Sequence, residues 1–253
     1  MPPLNRRYGT SLAELIVTLA LAAVVLAASA RALTQQLRQR HDREVQRQAD
    51  VALRDVQAAL RGVLSHAAAV RAVGDTALDV ASLGLVARPC DATGARLVVA
   101  ASNEWWSPPH AGDSVALIDT LTRLEWRSVI VSTGSQRPSA RCAAGGTRLT
   151  LAAPPPPTVP ALALPMRIWR PLRYVAYRAG DGTWWLGERN CSPTCGAAQP
   201  VAGPLLPLAR GGLRLSPFAD RDGRLVAIDA EVAAPAGTGE VRRTARLLVA
   251  PLP

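Results

Sequence analysis

MPPLNRRYGTSLAELIVTLALAAVVLAASARAL, residues 1–33, is the stretch of this sequence that decides the fold. Arg6 and Arg7 precede an uncharged apolar run over residues 15–30. That run is slightly shorter than the ~20 residues with which a helix crosses a bilayer. Arginines tend to remain on the cytoplasmic side of a membrane helix. The stretch therefore predicts a membrane helix, with the N-terminal end of the chain in the cytoplasm.

Glu14 distinguishes this stretch from an ordinary targeting signal. A carboxylate inside a membrane segment costs roughly 2.5–3.5 kcal/mol on insertion scales, so its presence points to a function. A secretory signal peptide cleaved at the small residues 28–30 would be discarded and has no use for that carboxylate. A twin-arginine signal on Arg6 and Arg7 lacks the surrounding motif. A membrane helix that retains Glu14 for a purpose is the interpretation favoured by these residues.

Gly9, Thr10 and Glu14 together resemble the processing signal of type IV prepilins. Those proteins carry a short basic leader that ends in Gly, and the fifth residue after the leader is Glu. The resemblance implies that a prepilin peptidase cuts after Gly9 and methylates the new amine on Thr10, where the family usually has Phe or Met. It also implies that Glu14 pairs with the N-terminal amine of a neighbouring subunit during assembly.

The predicted helix continues well beyond the membrane segment. Residues 10–60 contain neither Gly nor Pro and are rich in strong helix formers. Apolar residues recur at helical spacing after the membrane run, and Gln and Arg lie between them. These apolar residues are Leu33, Leu37, Val45, Ala49, Leu53, Val56, Leu60 and Val63. We expect a cleaved leader over residues 1–9, a transmembrane or filament-core helix over 10–32, and an amphipathic continuation over 33–66.

Residues 67–253 predict a β-rich globular domain, so the expected fold class is α+β, with a long N-terminal helix packed on antiparallel sheets as in pilins. Asp181-Gly182 and Asp222-Gly223 predict hairpin turns. The predicted strands are residues 96–101, 115–119, 123–131, 147–152, 166–170, 173–178, 183–188, 213–217, 224–232 and 242–250. A Pro-rich segment over residues 154–160 is expected to cross the surface between two groups of strands.

The C-terminal half carries a second resemblance. It lies in RYVAYRAGDGTWWLGERNCSP over residues 173–193, QPVAGPL over 199–205 and GLRLSPFADRDGRLVAIDAEVAA over 212–234. The order is a Tyr-containing strand, a turn, a strand ending in a Leu and a basic residue, a Pro-rich loop and a final hairpin. It is similar to the C-terminal portion of PilW-like minor pilins and of J-type pseudopilins of type II secretion. This resemblance implies a minor subunit of a pilus or of a secretion pseudopilus.

The net charge of +10 comes entirely from arginine, because the 29 basic residues include no Lys. Arginine is scattered along the chain, which favours a compositional bias and a solvated helix face over a nucleic-acid groove. A DNA-binding minor pilin is the alternative, in which strand arginines contact phosphates and an exposed Trp stacks on a base. The residues concerned are Arg123, Arg127, Arg167, Arg170, Arg173 and Arg178 with Trp105, Trp106, Trp184 and Trp185.

Four cysteines, Cys90, Cys142, Cys191 and Cys195, favour disulfides in a chain that leaves the cytoplasm. Three connectivities are open. The turn-rich sequence NCSPTCG allows Cys191 and Cys195 to close a tight loop, which leaves Cys90 with Cys142. A zinc site is the alternative, although no His follows His110 and the chain has no second closely spaced Cys pair.

The sequence carries no recognisable catalytic arrangement. His41, His66 and His110 are expected to be solvated, and residues 112–114, Gly-Asp-Ser, are similar to a hydrolase block that requires a later His as base. We therefore predict a structural subunit without enzymatic activity or cofactor. Its predicted partners are prepilin peptidase, other pilin or pseudopilin subunits and the inner membrane. A signal-anchored envelope protein is the remaining alternative.

Overall fold

The structure, a computed structural model, describes residues 12–100, 108–221, 225–237 and 239–249. The chain divides into two units, residues 1–48 and residues 49–253. The first unit contains the N-terminal part of one long helix, and the second contains the rest of that helix and the described strands. The predicted α+β class, a long N-terminal helix packed on antiparallel sheets, is thereby confirmed at the level of secondary structure.

Helix α1 extends from Leu12 to Ser65, as the absence of Gly and Pro over most of this range predicts. In the second unit, apolar residues at helical spacing form one stripe of α1 that faces the hydrophobic core. The buried residues of this stripe are Ala49, Leu53, Val56, Leu60 and Leu64. Leu33 and Leu37 were predicted on the same stripe but are exposed in the first unit. Within the second unit, the amphipathic face packs on the sheets from Ala49 onward.

The described residues form thirteen strands. They are β1 Ala67–Val73, β2 Ala77–Ala87, β3 Pro89–Thr93, β4 Arg96–Ala100, β5 Ser114–Ile118, β6 Glu125–Gln136, β7 Gly146–Leu151, β8 Met166–Arg178, β9 Trp184–Asn190, β10 Gln199–Leu205, β11 Leu213–Ala219, β12 Leu225–Ala236 and β13 Gly239–Leu248. One sheet has the order β1-β2-β8-β5-β6-β7-β4-β3, and β9 and β10 continue from β8. A second sheet has the order β11-β12-β13, and a short 3-10 helix at Leu208–Arg210 precedes it. All strand pairs are antiparallel.

Strand β8 is the centre of the large sheet and was predicted as two strands. It pairs with β2 along one side, and on the other side with β5 through residues 167–169 and with β9 through residues 172–178. Pro171 lies in the gap between the β5 and β9 pairings, where its missing N–H interrupts no ladder of hydrogen bonds. The strand therefore continues through a residue that normally ends one.

Two hydrophobic clusters fill the second unit. The first, here called the helix core, joins the inward stripe of α1 to β1, β2 and β8–β13, and includes Leu78, Tyr174, Leu186 and Ile228. The second, called the strand core, lies between β4–β8 and includes Leu97. Burial of each large apolar side chain contributes roughly 1.5–3 kcal/mol, so these clusters hold the sheets and helix together.

The Pro-rich segment joins β7 to β8, which belong to the same sheet. It covers the strand core, because Val159 and Ala161 are buried in that cluster. It is therefore a cover over one sheet and does not separate two groups of strands in different sheets.

The hairpin predicted at Asp181-Gly182 joins β8 to β9, and the Thr183 N–H donates to the Asp181 carboxylate at 2.9 Å. The hairpin predicted at Asp222-Gly223 lies outside the described residues. Strands β1, β2, β3 and β10 were not predicted, because Ala and Pro are common in them and have low intrinsic strand propensity.

Candidate functional site

The apolar part of α1 is uncovered in the structure. Every side chain from Glu14 to Ala30 is exposed, including 57% of Ile16 and 69% of Leu26. Among the described residues, α1 is the one helix long and apolar enough to cross a membrane. At 1.5 Å per residue, residues 12–30 cover about 28 Å, close to the ~30 Å of a bilayer's hydrocarbon. A continuous apolar surface of this size requires lipid or protein around it.

The polar side chains Glu14 and Thr18 of this segment lie at its N-terminal end or form a hydrogen bond within the helix. Glu14 lies in the first turn of α1, where the positive end of the helix dipole favours a carboxylate. The Thr18 hydroxyl donates to the Leu15 carbonyl at 2.9 Å, so the helix itself supplies its partner. Gly9 and Thr10, the predicted processing residues, lie outside the described residues.

The four cysteines form two disulfides, as predicted, and the structure selects one of the three connectivities that the sequence left open. Cys90 of β3 is bonded to Cys142 in the loop between β6 and β7, across a separation of 52 residues. Cys191 is bonded to Cys195, four residues later, directly after β9. All four cysteines are therefore used in disulfides. Among the described residues, no group of three or more His, Cys, Asp or Glu side chains is arranged to hold a metal ion.

Asp113 is the centre of a buried polar cluster that sequence reasoning did not find. Its side chain is fully buried, and it accepts hydrogen bonds from Ser192 Oγ at 2.6 Å and from the backbone N–H of His110 at 3.0 Å. Arg170 Nη2 lies 3.2 Å from Asp113 Oδ2 and also donates to the Pro108 carbonyl at 2.8 Å. The cluster links the segment before β5, strand β8 and the Cys191–Cys195 loop.

Gly112 permits the close approach of the Cys191–Cys195 loop to Asp113. Its φ is +93°, and a Cβ at this position would lie 2.6 Å from the Cα of Pro193. Any larger residue would push the disulfide loop away from Asp113. This cluster is the structural role of the Gly-Asp-Ser sequence at residues 112–114, which resembled a hydrolase block.

The cluster does not have the geometry of nucleophilic catalysis. The Ser192 hydroxyl contacts the Asp113 carboxylate and not an imidazole, and His110 Nδ1 lies 3.1 Å from Arg170 Nη2. A Ser nucleophile needs a base such as His within hydrogen-bond reach and an orienting group behind it. The other two histidines, His41 and His66, are exposed on α1 and just after it.

A second buried polar contact lies in the helix core. The Tyr174 hydroxyl donates to a Glu188 carboxylate oxygen on the adjacent strand. Burial raises the pKa of Tyr174, and the hydrogen bond to Glu188 raises it further. The phenol is therefore neutral at physiological pH and acts as a fixed hydrogen-bond donor between β8 and β9.

The arginines proposed for DNA binding do not share one surface. Alternation along β8 places Arg170 on the opposite face of the sheet from Arg167 and Arg173, and its guanidinium faces the buried Asp113. Arg173 is paired with Asp79, and Arg127 with Glu125.

The two described tryptophans of the predicted pairs, Trp184 and Trp185, are both half-buried. Trp184 packs against the helix core, and the ring of Trp185 lies over Gly203 of β10. Trp105 and Trp106 lie outside the described residues. Both described tryptophans therefore contribute to packing.

Comparisons of the chain with protein-family models, with curated proteins and with solved structures give no match.

Proposed function

We propose that this chain is a membrane-anchored structural subunit of the pilin type, a minor pilin or pseudopilin of a type IV pilus or type II secretion pseudopilus. The observation that carries the proposal is the uncovered apolar part of α1 with Glu14 in its first turn, followed along the chain by a disulfide-bonded β-rich unit. A helix of this kind first spans the membrane and then exchanges lipid for the apolar helices of neighbouring subunits.

The disulfides support one orientation of the chain in the membrane. Arginine counts alone are indecisive, because Arg31, Arg38, Arg40 and Arg43 follow the apolar run as closely as the leader arginines precede it. Disulfides form in the periplasm and are rare in the cytoplasm. Both bonds lie in the second unit, so this unit belongs in the periplasm and the N-terminal end of the chain in the cytoplasm.

The proposed role of Glu14 is to pair with the N-terminal amine of an adjacent subunit. A carboxylate surrounded by lipid or by apolar helices is costly unless an opposite charge neutralises it. The processed amine of Thr10 would be such a charge, since it would lie four residues before Glu14 on each copy of the chain. Pairing between copies would favour assembly over the monomer in the bilayer.

Processing provides the direct test of this proposal. When the chain is produced together with a prepilin peptidase, we expect intact-mass analysis and N-terminal sequencing to give a start at Thr10 with a methylated amine. Without the peptidase the chain should keep its leader. A start near Arg31 would contradict the proposal and indicate a secreted protein, and an uncut chain beside active peptidase would indicate a plain signal anchor.

Glu14→Gln is expected to lower incorporation into filaments by at least about tenfold, because a neutral amide loses the charge-assisted pairing, which contributes about 1.5–3 kcal/mol. Membrane insertion should be unchanged or improved, since the carboxylate is removed from the apolar segment. Incorporation is measured by immunoblot of sheared filaments, and insertion by carbonate extraction of membranes.

Glu44→Gln is the matched control for this prediction. Glu44 is an exposed carboxylate on the same helix, beyond the apolar run, where it pairs with Arg47 at 3.2 Å. We expect wild-type incorporation for this variant. Equal incorporation of the Glu14 and Glu44 variants would contradict the assembly role of Glu14.

A further inference from the structure

A row of charged residues crosses the large sheet on the face opposite to the helix core. Arg71 of β1, Asp79 of β2, Arg173 of β8 and Arg189 of β9 are direct cross-strand neighbours in that order. We call these four residues the arginine row. Because residues in register on adjacent strands share a face, the four side chains lie on the same side of the sheet. Their summed formal charge is +2.

Asp79 pairs with two of these arginines. It accepts hydrogen bonds from Arg173 Nε at 2.6 Å and Nη2 at 2.9 Å, and from Arg71 Nη2 at 2.9 Å. The hydrogen bond from Arg173 is the main cause that lowers the pKa of Asp79, so this carboxylate stays ionised at neutral pH. Each guanidinium carries five N–H donors. Asp79 accepts three hydrogen bonds from the combined set, and the remaining donors, which have no acceptor within the described part of the chain, can contact a second anion.

Arg189 adds a third positive charge at the β9 end of the row. Its Nε is buried and has no hydrogen-bond partner among the described residues. It lies directly opposite Arg173 in the β8–β9 pair. Arg189 does not line the cavity beside the row, so its charge acts on that cavity only at a distance, through the positive potential of the row.

A cavity of about 260 Å³ lies beside the arginine row. Arg71, Asp79 and Arg173 line its charged side, and Pro171 and the Cys191–Cys195 disulfide belong to its apolar wall. The volume is below the ~300–1,000 Å³ of pockets that enclose drug-sized ligands, so the cavity fits a small group. Apolar walls beside guanidiniums favour an organic acid over a fully hydrated inorganic ion.

We propose that this cavity binds a carboxylate that carries a short apolar flank. The carboxylate contacts Arg71 and Arg173 from the side not occupied by Asp79, and the apolar flank rests against Pro171 and the Cys191–Cys195 disulfide. The carboxylate belongs either to a free small acid or to an acidic side chain of a protein segment. The site lies in the second unit and does not depend on the role of the N-terminal helix.

The test uses the full chain in nonionic detergent and saturation-transfer difference NMR. The probes are N-acetylleucine and its neutral amide, and the blocked peptide Ac-Ala-Leu-Asp-Leu-NH2 with its Asn counterpart. We expect at least one acidic probe to bind with Kd of about 1 mM or below, and its neutral counterpart about tenfold more weakly. Binding of N-acetylleucine identifies a free acid as sufficient, and binding of the Asp peptide alone identifies an acidic protein segment.

Arg71→Gln should weaken binding of the acidic probe about tenfold, since one charged hydrogen-bond donor is lost. Arg71 is 77% exposed, so the variant is expected to fold normally. Arg214→Gln, an exposed arginine of β11 in the other sheet, is the control with the same change of charge and should bind as wild type. Equal binding of acidic and neutral probes, or equal binding by the two variants, would overturn the proposal.

Discussion

Asp113→Ala is expected to lower the free energy of unfolding by about 3–5 kcal/mol, as measured for broken buried ion pairs. The substitution removes the carboxylate that faces Arg170, whose side chain is only 13% exposed, and removes the acceptor of the Ser192 hydroxyl. Because small domains are stable by only about 5–15 kcal/mol, much of the protein would unfold at moderate temperature. Urea denaturation of the full chain in detergent, followed by tryptophan fluorescence, measures this change.

A second Asp–Arg pair provides the matched control. Asp229 and Arg246 make a bidentate pair at 2.7 and 2.9 Å, but Arg246 is 60% exposed. Exposed pairs contribute about 0–1 kcal/mol, so Asp229→Ala should have a small effect. Asp113→Asn keeps an oxygen that can accept from Ser192 but removes the charge. Its loss of unfolding free energy should lie between those of Asp113→Ala and Asp229→Ala. If Asp113→Ala is no more destabilising than Asp229→Ala, the cluster does not hold the loops together.

Removal of the Cys90–Cys142 disulfide by a double alanine substitution is expected to cost about 4 kcal/mol. In the chain-entropy description, a bond across 52 residues excludes many conformations of the unfolded chain. The bond also fixes edge strand β3 to the loop between β6 and β7, where Arg141 pairs with Asp91 at 2.9 Å. The measurement is the urea midpoint at unchanged slope, since an altered slope would report a different unfolded state.

Removal of the Cys191–Cys195 disulfide serves as the comparison. It closes a loop of only four residues, so the same description gives about 2 kcal/mol. We therefore expect the loss for the long-range bond to be about twice that for the short one. A larger loss from the short bond would mean that the Cys191–Cys195 loop acts mainly through its contacts, including Ser192 with Asp113.

The helix could be predicted because its signals are local. A range without Gly or Pro and an apolar stripe at helical spacing placed α1 within a few residues of its observed limits. Predicted strands with many β-branched residues were also close to the observed ones. The Ala-rich β1, with the sequence AAAVRAV, was missed because its pairing with β2 and not its own propensity makes it a strand.

The candidate sites depended more strongly on tertiary structure. Asp113 is 57 residues from Arg170 and 79 residues from Ser192, so no spacing rule could have joined them. The arginine row crosses four strands, of which β2 and β8 are neighbours in the sheet although five other strands lie between them in the sequence. The continuity of β8 through Pro171 could not be predicted for the same reason. Pro171 has no N–H to donate, and this is tolerated because it lies between the residues of β8 that pair with β5 and those that pair with β9.

By itself, the sequence determined one long helix, its uncharged apolar run with Glu14 at the start, and a β-rich remainder with four cysteines. These features follow from residue type and from periodicity over short stretches of sequence, which do not depend on the tertiary structure. Only the tertiary structure decided which part of the helix is covered, which cysteines pair, and which charges meet. Burial and register bring distant residues to within a few ångströms, and these contacts are set by how the sheets pack.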